Sequence, residues 1–519
     1  MQTYDILWRI NTPTQSEVDR VAADCGISKL VAAAILNRGI DPASVKSYLR
    51  PTGMPLPSPF LLKDMEKAAN RFADALENGE TIGISGDMDC DGVTSSSVLC
   101  HFGRMLGREF PVFIPDRAKN GYGVHKEGID YLYGEGASLI ITVDVGIAAV
   151  AEAAYCKELG VDFLVTDHHG IPDELPDAYA IVNPHRDGDQ YPYKKLAGVG
   201  VAYNLVLATL EVLRDRGCFT SSSPEPSPER LLPLVAIGTI ADLVELQGVN
   251  RTLVAEGISL INEGRCDIPG LTALLQVSGV KPGLLTSGQA AFRIGPRINA
   301  SGRMETALTA LELLLSRSAA EAVPLAEKLD RQNTLRQQEE QRTVEVALEM
   351  LESDPALWDK KSIVLASPQM SASVVGIAAS RLIERFHRPT VLISIGETKA
   401  KGSCRSIKAF HMYEGLKSCA GHLMGFGGHP MAAGLSILPE NIPVFTDAFE
   451  QVAACLSEDD LRPVLSIDAD VDPGELALSV CDEVDRLEPF GMANSRPVFC
   501  MTRSEEHTSE LPSPNTTSY

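Results

Sequence analysis

Short apolar runs that each stop at an acidic turn constrain this chain more than any other feature. Thr81-Ile82-Gly83-Ile84-Ser85 leads into Gly86-Asp87-Met88-Asp89-Cys90-Asp91-Gly92. Ser138 to Val143 leads into Asp144, and Asp162 to Thr166 leads into Asp167-His168-His169. Ala180-Ile181-Val182 is a fourth run, and helical spacing recurs over 64–78, 93–106 and 148–158. Short strands apolar on both faces, alternating with helices, predict a parallel α/β sheet. Ligands of such sheets gather at the carboxyl ends of the strands, which is where the acidic turns fall. Ile237-Gly238-Thr239-Ile240-Ala241 ends at Asp242 and reads as one more strand end.

At 519 residues the chain exceeds one ordinary core, and two to four domains are expected. Residues 1–60, with a Pro-rich run from Pro51 to Pro59, read as an N-terminal arm, and 61–316 as the first α/β domain. The Ser/Pro-rich stretch within 216–230 is a surface loop. Residues 317–352 are charged, Gln-rich and Pro-poor after Pro324, which predicts a long helix within a connecting segment 317–357. A smaller α/β domain follows at 358–462, and 463–502 begins a β-rich unit.

Hydrophobic and charged fractions of 44% and 22% describe a globular chain. No apolar run is long enough to span a bilayer, and Met1-Gln2-Thr3-Tyr4-Asp5 lacks the layout of a secretory signal. A cytoplasmic location is the expectation. The 11 cysteines include no CxxC pair, which predicts reduced thiols rather than disulfides or structural zinc. A net charge of −23 argues against coating nucleic acid through an overall basic surface. A nuclease with a local basic channel, helped by bound cations, remains compatible with it.

Taken singly, an Asp after a strand is a helix cap or turn former, and a His pair is a surface or core feature. Together, the four acidic clusters would place several like charges in one crevice, which is costly without cations. Carboxylates with imidazole and no thiolate suit Mn²⁺ or Mg²⁺. Two such ions about 3.5–4 Å apart are a common device for activating water against a phosphate ester.

The chain resembles the DHH phosphoesterase superfamily, and within it the RecJ-like single-strand DNA exonucleases. Gly86 to Thr94 matches the family's G-D-Y-D-x-D-G-x-T, Thr142 to Gly146 its T-V-D-N-G, Asp167 to His169 its D-H-H, and Gly238 to Asp242 its G-T-V-A-D. Leu196 to Ala202, Gly295 to Met304, and Phe426 to His429 with Ala432-Ala433-Gly434 extend the likeness over about residues 30 to 502. The resemblance implies a parallel-sheet DHH domain joined by a long helix to a DHHA1 domain, then the start of an OB-type barrel. It implies two Mn²⁺ or Mg²⁺ ions, one on Asp89 and one on Asp91, His168 and Asp242, bridged by Asp144. Asp87 would be a weaker ligand, Asp167 would orient the histidines, and His169 would contact the scissile phosphate. For substrate it implies Arg117, Tyr122, Arg297, Arg303, Ser403, Arg405, Gly427, Gly428 and His429. The activity implied is 5′→3′ hydrolysis of single-stranded DNA to nucleoside 5′-monophosphates, in repair and recombination. A monomer is expected, with single-strand DNA-binding protein as a partner.

Three departures stand out: Met88 replaces the family Tyr, Val145 replaces Asn, and Met370-Ser371-Ala372-Ser373 stands where the family has W-H-x-G. None removes a ligand; the last removes whatever contact the Trp or His makes. Arg503-Ser504-Glu505-Glu506-His507-Thr508-Ser509-Glu510-Leu511 resembles the in-frame translation of a common sequencing adapter. The expectation is therefore a non-native tail at 503–519 and a truncated barrel. Two other functions fit the same motifs less well: a phosphodiesterase of short oligoribonucleotides or cyclic dinucleotides, and a non-catalytic scaffold.

Overall fold

The computed structural model describes residues 6–117 and 119–501. The tail expected to be non-native, 503–519, lies outside them, as does Thr502. The chain divides into two compact units: one is Pro51–Pro463 with Pro489–Asn494, and the other joins the N-terminal segment up to Arg50 to Val464–Glu488 and the residues from Ser495 onward.

The larger unit opens with five parallel strands, β1 (Thr81–Gly86), β2 (Val112–Phe113), β3 (Ala137–Val143), β4 (Asp162–Thr166) and β5 (Ala180–Val182), in the order β2-β1-β3-β4-β5. The chain leaves β1 toward one edge and β3 toward the other, so a crevice opens between their carboxyl ends. Side chains alternate along β3: Leu139, Ile141 and Val143 enter one core, while Ile140 enters the core on the opposite face. In β4, Leu164 faces the first core, and Phe163 and Val165 face the second. Burial on both faces is why these strands read as unbroken apolar runs, and each large side chain buried contributes about 1.5–3 kcal/mol. On helix Met65–Asn78, Arg71 forks onto Glu80 (2.7 and 3.2 Å) and reaches Asp162 (2.6 Å). Ser138 also donates to Glu80, at 2.5 Å. These bonds fasten the helix to the starts of β1, β3 and β4.

Five helices frame the crevice or lead from it: α1 (Cys90–Met105), α2 (Gly198–Asp215), α3 (Leu232–Ala241), α4 (Gly295–Met304) and α5 (Ala319–Ser353). The run before Asp242 corrects the sequence reading, because it is the end of helix α3 rather than a strand. Every residue from Leu232 to Ile240 is buried, and a helix buried on all sides shows no periodicity to tell it from a strand. Pro233 sits in its first turn, where a missing N–H is harmless.

Helix α5 leads to a mixed sheet of β6 (Ile363–Ser367), β7 (Thr390–Ile395), β8 (Ala400–Arg405), β9 (Gly425–Gly428) and β10 (Ala432–Ile437), in the order β9-β10-β8-β7-β6. Only β6 and β7 pair in parallel, and helix α6 (Val375–Phe386) connects them. In the smaller unit, Leu7–Ile10 pairs in parallel with Val464–Ile467, and Ala469–Asp470 with Phe499–Cys500. Arg38 bonds Asp468 (3.1 Å) and the Ser495 carbonyl (2.7 Å), while the Ser28 amide donates to Glu483 (2.7 Å). The segment read as an arm thus folds, up to Arg50, with the residues after 463. Among the described residues no helix is long and apolar enough to cross a membrane.

Candidate metal centre

The acidic turn after β1 is shaped by what its glycines leave out. A Cβ on Gly86 would lie 2.2 Å from Ser96 Oγ, and one on Gly92 would lie 2.4 Å from the Asp87 carbonyl. The turn can therefore fold tightly onto α1. Asp89 caps that helix, its Oδ1 accepting from the amides of Asp91 (2.9 Å) and Gly92 (3.1 Å). Asp91, in the first turn, is buried and accepts from the Gly198 and Val199 amides at 2.6 and 2.9 Å. Those two N–H groups open helix α2, where backbone donors and the helix dipole favour an anion. Asp144 leaves β3 at φ 60°, a left-handed conformation that few residues besides Gly, Asn and Asp tolerate. Gly198 clears space for it, since a Cβ there would lie 2.6 Å from the Asp144 side chain.

Three groups of ligand atoms result, each within 4.8 Å: Asp87, Asp89 and Asp144; Asp91, His168 and Asp242; and Asp144, His168 and His169. His168 Nε2 lies 3.1 Å from Asp144, 3.6 Å from Asp242 and 3.8 Å from Asp91. Asp144 belongs to both sides of the cluster. Asp87 Oδ1, Asp144 Oδ1, His168 Nε2 and Asp242 Oδ2 are buried, and none has a hydrogen-bond partner. Burial, reinforced by neighbouring carboxylates, pushes Asp87 and Asp91 up to about 7 and Asp242 up to about 9, and raises Asp144 well above the carboxylate range. Burial lowers His168 to about 4, so it stays neutral and able to offer a lone pair. Unpartnered atoms, repelling carboxylates and a neutral imidazole fit divalent cations, and a thiolate-free set suits Mn²⁺ or Mg²⁺.

Asp167 is almost fully buried beside this cluster. Its Oδ1 accepts from the amides of His168 (2.7 Å) and His169 (3.0 Å) and from His169 Nδ1 (2.8 Å), while Oδ2 accepts from the Ile147 amide (2.9 Å). Burial would raise this carboxyl, but the bonds from His169 and the backbone outweigh it and hold Asp167 low. Burial likewise opposes charge on His169, yet Asp167 and the nearby Asp91 and Asp87 raise its pKa. The Tyr122 hydroxyl approaches the same ring at 3.3 Å. Asn183 donates to the His169 carbonyl at 3.0 Å, a support that sequence reasoning missed.

The residues expected to grip substrate divide into three sets. Arg303, mostly buried, donates to the Ser373 carbonyl at 3.2 Å; burial lowers it to about 10, with Arg117, Arg336 and Arg405 pressing in the same direction. Four guanidinium groups thus share one neighbourhood with Asp89. Arg405 donates to Ser403 Oγ (3.2 Å), and a Cβ on Gly376 would strike both side chains. Arg297 instead pairs with Asp330 on α5 at 2.8 Å, which holds two helices together. Gly427, Gly428 and His429 lie at the exposed β9–β10 hairpin, where Gly428 has φ 143° and the His429 amide bonds the Ala432 carbonyl. Arg336, and Asn299, which accepts from the Cys90 amide at 2.8 Å, were not singled out, because spacing along the chain carries no sign of either.

Family comparison locates a DHH family N-terminal domain at residues 81–239, a DHHA1 domain at 359–454 and a RecJ OB domain at 467–509. The single-stranded-DNA-specific exonuclease RecJ of Bacillus subtilis strain 168 is 40% identical over 494 residues, covering 94% of this chain and 61% of that protein. Its Escherichia coli K12 counterpart is 37% identical over 448 residues, covering 84% and 78%. The crystal structure of Thermus thermophilus RecJ in complex with Mn²⁺ superposes with a TM-score of 0.82 at 33% identity, over 95% of this chain and 69% of that one. The chain therefore spans about three fifths of the B. subtilis relative and about four fifths of the E. coli one.

Proposed function

This chain belongs to the RecJ family of DHH phosphoesterases, and from that membership we propose that it hydrolyses single-stranded DNA from the 5′ end, releasing nucleoside 5′-monophosphates. The observation that carries the reading is the meeting of four unpartnered buried ligand atoms, from Asp87, Asp144, His168 and Asp242, in one crevice. Asp87, Asp89 and Asp144 would hold one divalent ion, and Asp91, His168 and Asp242 the other, with Asp144 shared. Bound there, Mn²⁺ or Mg²⁺ would lower the pKa of water and neutralise phosphate oxygens.

The protein's own groups do the rest. Asp167 fixes the ring of His169 and favours its protonated form, placing a donor beside the cluster for charge that develops on the phosphate. Arg117, Arg303 and Arg405, with Ser403, supply cationic and hydrogen-bonding partners for the strand, so a chain of net charge −23 keeps a local anion-binding groove. Tyr122, exposed and edge-on to the ring of His169, would stack on a base. Gly427, Gly428 and His429 would receive the strand farther out, whereas Arg297 acts through its bond to Asp330. The same reading places the protein in the cytoplasm as a monomer working in repair and recombination, alongside single-strand DNA-binding protein.

Digestion of end-labelled single strands with Mn²⁺ tests the proposal. Mononucleotides should appear from the 5′ end of long strands and cease with chelator. Release confined to di- or trinucleotides would make the protein an oligonucleotide phosphodiesterase instead, and no hydrolysis with any divalent ion would leave a scaffold.

A further inference from the structure

Helix α4 touches the acidic turn at two points. Asn299 Oδ1 accepts from the Cys90 amide at 2.8 Å, between Asp89 and Asp91 in sequence. One turn along the helix, Gly302 lies so close to Met88 that a Cβ would come within 2.8 Å of its carbonyl. The Asp89 side chain already caps α1 through the Asp91 and Gly92 amides. The Cys90 N–H points out of that cap, and Asn299 is its acceptor. The same helix carries Arg303, which bonds the Ser373 carbonyl.

We propose that Asn299 is a positioning residue for the metal centre: its amide oxygen holds the Cys90 N–H and so sets the spacing of the Asp89 and Asp91 carboxylates. The inference rests on the metal reading above and extends it to a residue that is not itself a ligand. Without the acceptor, a partly buried N–H loses its partner, and the turn is no longer held to α4 at that point. Groups that orient ligands in this way commonly change metal affinity by about 10- to 100-fold. Because α4 also carries Arg303, the bond ties the metal turn to a residue of the phosphate-binding groove.

The test is direct Mn²⁺ binding to the full chain, with free Mn²⁺ read by electron paramagnetic resonance and no DNA present. Asn299→Ala should weaken binding by about tenfold or more, with a melting temperature in chelator close to that of the wild type. Asn299→Asp, which keeps an acceptor oxygen at the same place, should bind Mn²⁺ at least as tightly as the wild type. Wild-type affinity in Asn299→Ala would overturn the proposal. So would equal weakening in both variants, or a loss in Asn299→Ala accompanied by a large drop in chelator-state melting that Asn299→Asp repairs without restoring affinity. A wild-type chain that binds no Mn²⁺ would instead overturn the metal reading, and this inference with it.

Discussion

Asp144 combines a left-handed backbone with an unpartnered, buried carboxylate among like charges. Asn is the substitution that tolerates the same φ while removing the charge. Asp144→Asn should therefore raise metal-free stability, by about 0.5–2 kcal/mol on the usual scale of such relief. It should also abolish hydrolysis and the stabilisation that Mn²⁺ brings. Melting curves in chelator and in Mn²⁺ check both parts, and a variant less stable than the wild type in chelator would contradict the first. The role proposed for His169 is in the reaction rather than in the fold, and its half-buried ring hangs from Asp167. His169→Ala should lower kcat by about 10²–10³-fold with KM for single-stranded DNA within a few-fold, as steady-state kinetics would show. At this scale most of the cluster was legible, because Asp and His side chains advertise their chemistry. Asn299 and the Gly198 and Val199 amides were not: a backbone N–H or an amide oxygen becomes visible only when folding brings its partner to it.

The elements explain which patterns could be read. Strands β1, β3 and β4 announced themselves as apolar runs because both faces are covered, and the crevice followed from their order. Helix α3 did not, since its complete burial erased the 3.6-residue period; Asp242 consequently arrives from a helix end rather than a strand end. The pairing of Leu7–Ile10 with Val464–Ile467 was equally hidden, because local windows cannot join segments so far apart in sequence. The fastening of helix Met65–Asn78 to the sheet gives a test at this level. Partners of Glu80, above all Arg71, hold its carboxyl below the ordinary glutamate value of 4.5. A lowered folded-state pKa means the stabilisation is present above the unfolded value and fades as pH falls through the folded one. Glu80→Gln should cost about 1 kcal/mol near neutral pH, and the gap should close as pH drops below the ordinary glutamate range. Denaturant unfolding at several pH values would show it; a gap that widens in acid would contradict the sign.

Across the whole molecule, charge is divided between a strongly acidic chain and a small cationic cluster where Arg117, Arg303 and Arg405 gather, with Arg336 beside them ion-paired to Glu340 at 2.6 Å. Binding to DNA should thus weaken as salt rises, with a slope set by the small number of phosphate contacts these residues make. Removing one phosphate contact with Arg303→Ala should flatten the slope of log K against log salt by about 0.7 for a single strand, measured with divalent ions and chelator balanced so that no cleavage occurs. An unchanged slope would place Arg303 outside the phosphate path. An acidic crevice that binds two catalytic cations should hold a fixed number of Mn²⁺ ions per chain after desalting, counted by elemental analysis for the wild type and for Asp91→Asn with Asp242→Asn. The structure predicts about two ions in the wild type, and in the double variant fewer ions with no hydrolysis. A wild type that retains none while still degrading DNA, or a double variant that keeps both ions and full activity, would contradict it.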